Sequence, residues 1–128
     1  MAKILIVDDY ERTQIIFAEE FMDEGYDVFT SGDASGVMEM INQINPDLIV
    51  MEINLQTHDG LDILQDIRRL YYNLPVVLWT TCSSFRGDLR IIAADYCVLK
   101  KADMEELKKK VKMALEGSTS LLSNAMLN

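Results

Sequence analysis

The chain is predicted to fold as a doubly wound α/β sandwich, a parallel sheet covered on both faces by helices. Three observations point there. Five short apolar runs, rich in Val, Ile and Leu, alternate along the 128 residues with stretches whose apolar positions recur at helical spacing. The connections are only a few residues long, which favours right-handed βαβ units. The central runs are apolar throughout instead of alternating, as strands covered on both faces must be.

In order, Lys3-Ile4-Leu5-Ile6-Val7 is the first strand, ended by Asp8 and Asp9. Glu11 to Glu24 reads as the first helix, in which Ile15, Ala18 and Met22, with Phe17 and Phe21 beside them, recur at helical spacing, and Gly25 is its stop. Tyr26 to Thr30 is the second strand. Asp33 is placed to cap a helix that buries Val37, Met40, Ile41 and Ile44, and Asn45-Pro46 ends it. Leu48 to Met51 forms the third strand, and Glu52 interrupts its apolar run where the strand should emerge. Asp59-Gly60 opens a third helix carrying Leu61, Leu64, Ile67 and Tyr71. Leu74 to Thr80 is the fourth strand, with Pro75 near its start and Trp79 in the core. Ser83 or Ser84 is expected to cap a short fourth helix through Leu89 and Ile92, weakened by Gly87. Tyr96 to Leu99 is the fifth strand. Asp103-Met104-Glu105-Glu106 resembles a capping box opening a fifth helix that buries Met104, Leu107, Val111 and Leu115 and leaves Lys108, Lys109 and Lys110 mainly solvated. We expect one domain over residues 1–116, and residues 117–128 as a frayed tail or the start of a linker.

Composition narrows the function. With 21 acidic against 12 basic residues the net charge is −9, which argues against direct binding to nucleic acid or an anionic membrane. There is no apolar stretch near the roughly 20 residues of a membrane span and no secretory pattern at the start, so a cytoplasmic location is expected. Cys82 and Cys97 lack metal-ligand spacing and read as reduced, structural residues. His58 reads as a solvated loop residue.

In an open parallel sheet, ligands bind outside the carboxyl ends of the strands at the point where strand order reverses. If the order is 2-1-3-4-5, Asp8, Asp9 and Glu52 converge there, with Thr80 and Lys100 on the same rim. Two carboxylates about 4 Å apart repel by roughly 4 kcal/mol at an effective dielectric near 20, so the cluster should hold a proton or recruit a cation. Oxygen ligands favour a hard ion such as magnesium, and acids, a metal, a hydroxyl and an ammonium together suit a phosphoryl group. The plainer readings are that Asp8 and Asp9 cap the first helix, and that Glu52 is a salt-bridge partner of Lys100.

Asp8-Asp9 after the first strand, Pro46-Asp47-Leu48-Ile49 into the third, Asp59-Gly60, Pro75-Val76-Val77 leading to Thr80, and Ala94-Asp95 leading to Lys100 stand in an order and spacing that resemble a response-regulator receiver domain of two-component signalling, from Lys3 to about Glu116. The resemblance implies a flavodoxin-like (βα)5 fold in which a strand-end aspartate takes a phosphoryl group from a histidine kinase or phosphotransfer protein. It further implies that the acidic pair, Asp9 above all, binds Mg2+ together with the Asn54 backbone carbonyl, and that Thr80 and Lys100 contact the phosphoryl oxygens.

The chain departs from that pattern at the centre of the site. Glu52 stands at the phosphoacceptor position, and its extra methylene carries the carboxylate about 1.5 Å farther out, toward the phosphoryl space and toward Lys100. Lys101 and Gln56 replace loop prolines, so the usual cis peptide after the lysine is not expected, and Cys97 takes the place of the aromatic switch residue. These departures imply a pseudo-receiver that is not an enzyme. It would act through protein–protein contacts at the face of the fourth helix, fifth strand and fifth helix, a face also suited to a homodimer. The alternatives are a receiver that still accepts phosphate on Glu52 or Asp9, and, from the enzyme and carrier classes, a magnesium-dependent phosphatase or a flavin carrier. The acidic turn after the first strand speaks against the flavin, and the lack of a nucleophilic aspartate pair spaced one residue apart speaks against the phosphatase.

Overall fold

The structure, a computed structural model, describes residues 1–80, 87–100 and 103–127, with side chains to 117. Five parallel strands, β1 (Lys3–Val7), β2 (Asp27–Ser31), β3 (Leu48–Met51), β4 (Val76–Thr80) and β5 (Tyr96–Leu99), form one sheet in the order β2-β1-β3-β4-β5. This is the flavodoxin-like arrangement, with the reversal between β1 and β3. Registers such as Val7 beside Met51 and Met51 beside Leu78 bring the carboxyl ends of the three central strands level.

Alternation along each strand assigns its side chains to two cores. Leu5, Val7, Ile49, Met51, Val76 and Leu78 pack with helices α2 (Val37–Ile44) and α3 (Gly60–Leu70). Ile4, Ile6, Leu48, Val50, Val77, Trp79 and Val98 face the other way, against α1 (Glu11–Asp23) and α4 (Met104–Leu127). Asn45 ends α2 in the left-handed region at φ 54°, and Gly25, at φ 93°, does the same after α1. The Asp103 carboxylate accepts the Glu106 N–H at 3.0 Å at the start of α4, whose backbone runs helically to Leu127.

Two expectations are corrected. On α1 the buried pair is Phe17 and Phe21, while Ile15 and Met22 are half-exposed. The two stripes overlap on a helical wheel. The aromatic one wins because each ring buries more surface and finds ring partners: Phe17 meets Trp79 edge-on at 5.1 Å, and Phe21 meets both Phe17 and Tyr26. The second correction concerns the fourth helix. Ser83, Ser84 and Lys101 lie outside the described residues, but after Gly87 the chain forms a 3-10 turn, Leu89–Ala93, capped by Asp88. Its inward contacts come from Ile91, Ala93 and Ala94, a spacing no α-helical stripe provides, and Leu89 and Ile92 project outward, 80% and 82% exposed. Asp33 likewise caps a 3-10 turn, Ala34–Gly36, which leads into α2.

Lys108 leaves the solvated side expected of it. Its ammonium reaches Glu20 of α1 at 2.6 Å and Glu24 at that helix's C-cap at 3.5 Å, tying α4 to the helix beside it. Lys110 sits over the Tyr96 ring.

Candidate functional site

The carboxyl end of β1 delivers Asp8, almost fully buried, to the crevice. Its Oδ1 accepts the Tyr10 N–H at 2.9 Å, and the Gln14 side-chain amide donates to its carbonyl, so both the carboxylate and its peptide are fixed from α1. Asp9 follows. One of its oxygens accepts the Gln56 backbone N–H at 2.5 Å, a bond that the proline usual at that position would be unable to make. The other oxygen, Oδ1, is buried without a hydrogen-bond partner among the described residues.

Glu52 extends from β3, 4% exposed at its side chain. Its backbone N–H continues the ladder to Val7, and both side-chain oxygens are occupied. Oε1 lies 3.0 Å from Lys100 Nζ, while Oε2 accepts the N–H groups of Ile53 at 2.6 Å and Asn54 at 3.3 Å. The Glu52 carboxylate is thus a salt-bridge partner of Lys100. Lys100 emerges from β5 and also meets Asp8 Oδ2 at 3.0 Å. Burial alone would push the Lys100 ammonium down, but its hydrogen bonds to Asp8 and Glu52 and the charge of both carboxylates outweigh it and hold its pKa above the ordinary lysine value. Thr80, also buried, ends β4, and its carbonyl accepts the Lys100 N–H at 2.7 Å.

The loop after β3 is closed tightly. Gly60 donates its N–H to the Ile53 carbonyl at 2.8 Å, and a Cβ there would stand 2.5 Å from the Glu52 carbonyl oxygen and 2.8 Å from Ile53 backbone atoms. Only glycine lets α3 begin this close to the site. Asp59 caps that helix by accepting the Leu61 N–H at 2.9 Å.

Asp8, Glu52 and Lys100 thus meet through their side chains, with Asp9 tied to Gln56 and Thr80 bonded to Lys100 through the backbone, whereas Cys97 is exposed and Tyr96 turns under Lys110. Sequence reasoning missed the backbone donors of Tyr10, Ile53 and Gln56, which leave no signature in residue type, and it missed Gln14 and Arg90. The donor chemistry fits a hard cation in part. Asp9 Oδ1 is the buried oxygen in need of one, whereas Asp8 and Glu52 already share Lys100, and no three acidic, His or Cys side chains among the described residues are grouped to hold a metal ion.

Comparison with known proteins agrees with this arrangement. Residues 4–112 match the response regulator receiver domain family, and the chain belongs to it. The regulatory protein AtoC of Escherichia coli (strain K12) is 29% identical over 117 residues, 89% of this chain and 25% of its own length, so this chain spans about a quarter of that relative. The response regulator protein TrrA of Thermotoga maritima, in complex with Mg2+-BeF, superposes with a TM-score of 0.85 at 32% identity, covering 89% of this chain and 99% of TrrA. NtrX of Brucella abortus, in complex with ATP, gives 0.89 at 29% identity over 99% of this chain and 30% of NtrX. TrrA is also seen bound to the histidine kinase ThkA.

Proposed function

We propose that this receiver domain of two-component signalling is a pseudo-receiver, whose signalling state is set by an internal salt bridge instead of by a phosphoryl group. The observation that carries this reading is the commitment of both Glu52 oxygens, one to Lys100 and one to the amides that follow it. A carboxylate so held is a poor in-line nucleophile, since displacements near 1 Å cost orders of magnitude in rate. It also places a negative charge on Lys100, the contact that an aspartyl phosphate would make by the resemblance. The domain acts by binding proteins and performs no catalysis of its own. The output surface comprises the 3-10 turn with protruding Leu89 and Ile92, β5 and α4, which also suits self-association; the input partner is a histidine kinase or phosphotransfer protein, by analogy with the TrrA–ThkA complex. The receiver match favours this reading over the flavin carrier and the phosphatase.

Magnesium would be held by Asp9 and the Asn54 carbonyl, with Asp8 drawn in only in competition with Lys100, and would supply positive charge next to the acidic pair. A second reading keeps phosphate chemistry at Asp9, favoured by its unsatisfied Oδ1. Intact mass after incubation with magnesium and acetyl phosphate separates the two. The wild-type chain should gain no phosphoryl mass, while Glu52→Asp, which withdraws the carboxylate from Lys100, should gain one that maps to residue 52. A wild-type adduct at Glu52, Asp8 or Asp9 would refute the pseudo-receiver reading.

A further inference from the structure

The Arg90 guanidinium, part-buried, bridges the capping carboxylates of two elements. Nη2 lies 3.0 Å from Asp59 Oδ2, whose other oxygen caps α3, and 2.7 Å from Asp88 Oδ2, whose other oxygen caps the 3-10 turn by accepting the Arg90 N–H at 2.9 Å. Nη1 adds Asp62 Oδ1 at 2.6 Å, in the first turn of α3. Such a forked, charge-assisted contact is specific in direction as well as strong. Asp59 closes the loop that Glu52 opens. Asn54 and Asp59 form an isolated bridge, the Gly60 N–H reaches the Ile53 carbonyl, and the Ile53 and Asn54 N–H groups end on the Glu52 carboxylate. The far end of the 3-10 turn is held separately by Arg68, which donates to the Ala93 carbonyl at 2.6 Å and pairs with Asp95 at 2.9 Å. Leu89 and Ile92 thus protrude from a turn whose leading end is anchored by Arg90.

We propose that Arg90 is a positioning residue that couples the Glu52 end of the sheet to the exposed Leu89 and Ile92 pair by bridging the cap of α3 to the cap of the 3-10 turn. This rests on the reading of Glu52 as the group that sets the domain's state. It gives the domain a route to its output surface that bypasses position 97, where Cys97 offers no ring to rotate. The pairs are partly exposed, so each is modest, but a group that holds two caps in register acts on geometry beyond its share of stability.

Amide hydrogen exchange on the intact chain tests the coupling, comparing wild type, Arg90→Gln, Glu52→Gln and the double variant, with the amides of β1 and β3 as the control for folding. Arg90→Gln should speed exchange at Arg90, Ile91 and Ala94 by about tenfold, the order expected when several modest pairs are lost together, and leave Ile53 and Asn54 protected. Glu52→Gln should speed exchange at Ile53 and Asn54 and also at Arg90, Ile91 and Ala94, the latter effect disappearing when Arg90 is already gone. Arg90→Lys, a point charge without the fork, should not restore the coupling. Unchanged exchange in the turn on Arg90→Gln would overturn the proposal. So would a Glu52→Gln effect felt at Ile53 and Asn54 but not in the turn, or felt in the turn equally with and without Arg90; either outcome leaves the reading of Glu52 intact. A Glu52→Gln variant silent even at Ile53 and Asn54 would sink that reading, and the coupling with it.

Discussion

Replacing Lys100 with Met removes the ammonium that bridges two buried carboxylates while keeping most of the side chain's apolar volume. The ammonium lies 3.0 Å from both Asp8 Oδ2 and Glu52 Oε1. At an effective dielectric near 20 each contact is worth about 5.5 kcal/mol of gross attraction. Much of this is offset by the cost of dehydrating the three ions, and measured losses on truncating one partner of a buried pair are about 3–5 kcal/mol. The variant should lie in that range because it leaves two carboxylates facing each other with no counter-charge among the described residues. In urea, at a slope near 2 kcal/mol/M, the midpoint should fall by roughly 2 M at neutral pH. The raised pKa of Lys100 fixes the pH window. A group whose folded value exceeds its unfolded value, about 10.4, stabilises fully below that value and loses its contribution as pH rises through the folded one. The gap between wild type and Lys100→Met should therefore be constant through neutral pH and close above about pH 10.5. A loss smaller than about 1 kcal/mol, the size of a surface pair, would refute the picture of a buried, mutually dependent triad.

Four further outcomes follow from the same geometry. In Lys100→Met, magnesium should raise the melting temperature more than it does in wild type, because Asp8 would then be released from the lysine that competes for it; equal shifts would count against that competition. Gly60→Ala should cost about 1–3 kcal/mol in denaturant unfolding, since its Cβ would meet only backbone atoms of Glu52 and Ile53. Phe17→Ala should cost about 3–5 kcal/mol and Ile15→Ser less than about 0.5, and the reverse ranking would restore the aliphatic stripe to the core of α1. Hydrogen bonds from Arg90 hold Asp88 at a pKa of about 2, below its ordinary 3.8, so the anchoring of the 3-10 turn should be complete above about pH 4 and fade as pH falls through about 2, readable as amide shifts of Arg90 and Ile91.

Much of this architecture is legible in residue order. The bounds of β1, β3 and β5 are those read from the sequence, and β3 shows why: a strand buried at every position, as one covered on both faces must be, has no polar residue to blur its ends. The convergence of Asp8, Glu52 and Lys100 follows once strand order is granted, because all three stand immediately after strands. What periodicity does not decide is which of two overlapping stripes a helix buries. Ile15 with Met22 and Phe17 with Phe21 both fit a helical repeat, and ring packing against Trp79, far off in sequence, settles the choice. Nor does it foresee a 3-10 turn at Leu89–Ala93, where Asp88 caps too short a segment for an α-helix before β5. The Arg90 contacts to Asp59 and Asp62 span 31 and 28 residues, and nothing local marks them.

The most direct test of the central claim is the amide spectrum of the wild-type chain, already saturated with magnesium, before and after addition of beryllofluoride, which together with Mg2+ is the ligand in the TrrA complex. With Lys100 already held by Glu52 and Asp8, the resonances of Ile53, Asn54, Thr80 and Lys100 should not move, while in Glu52→Asp they should shift together with those of Arg90 and Ile91. Saturable shifts at those four residues in the wild-type chain would show that the site still accepts a phosphoryl mimic and would contradict the account.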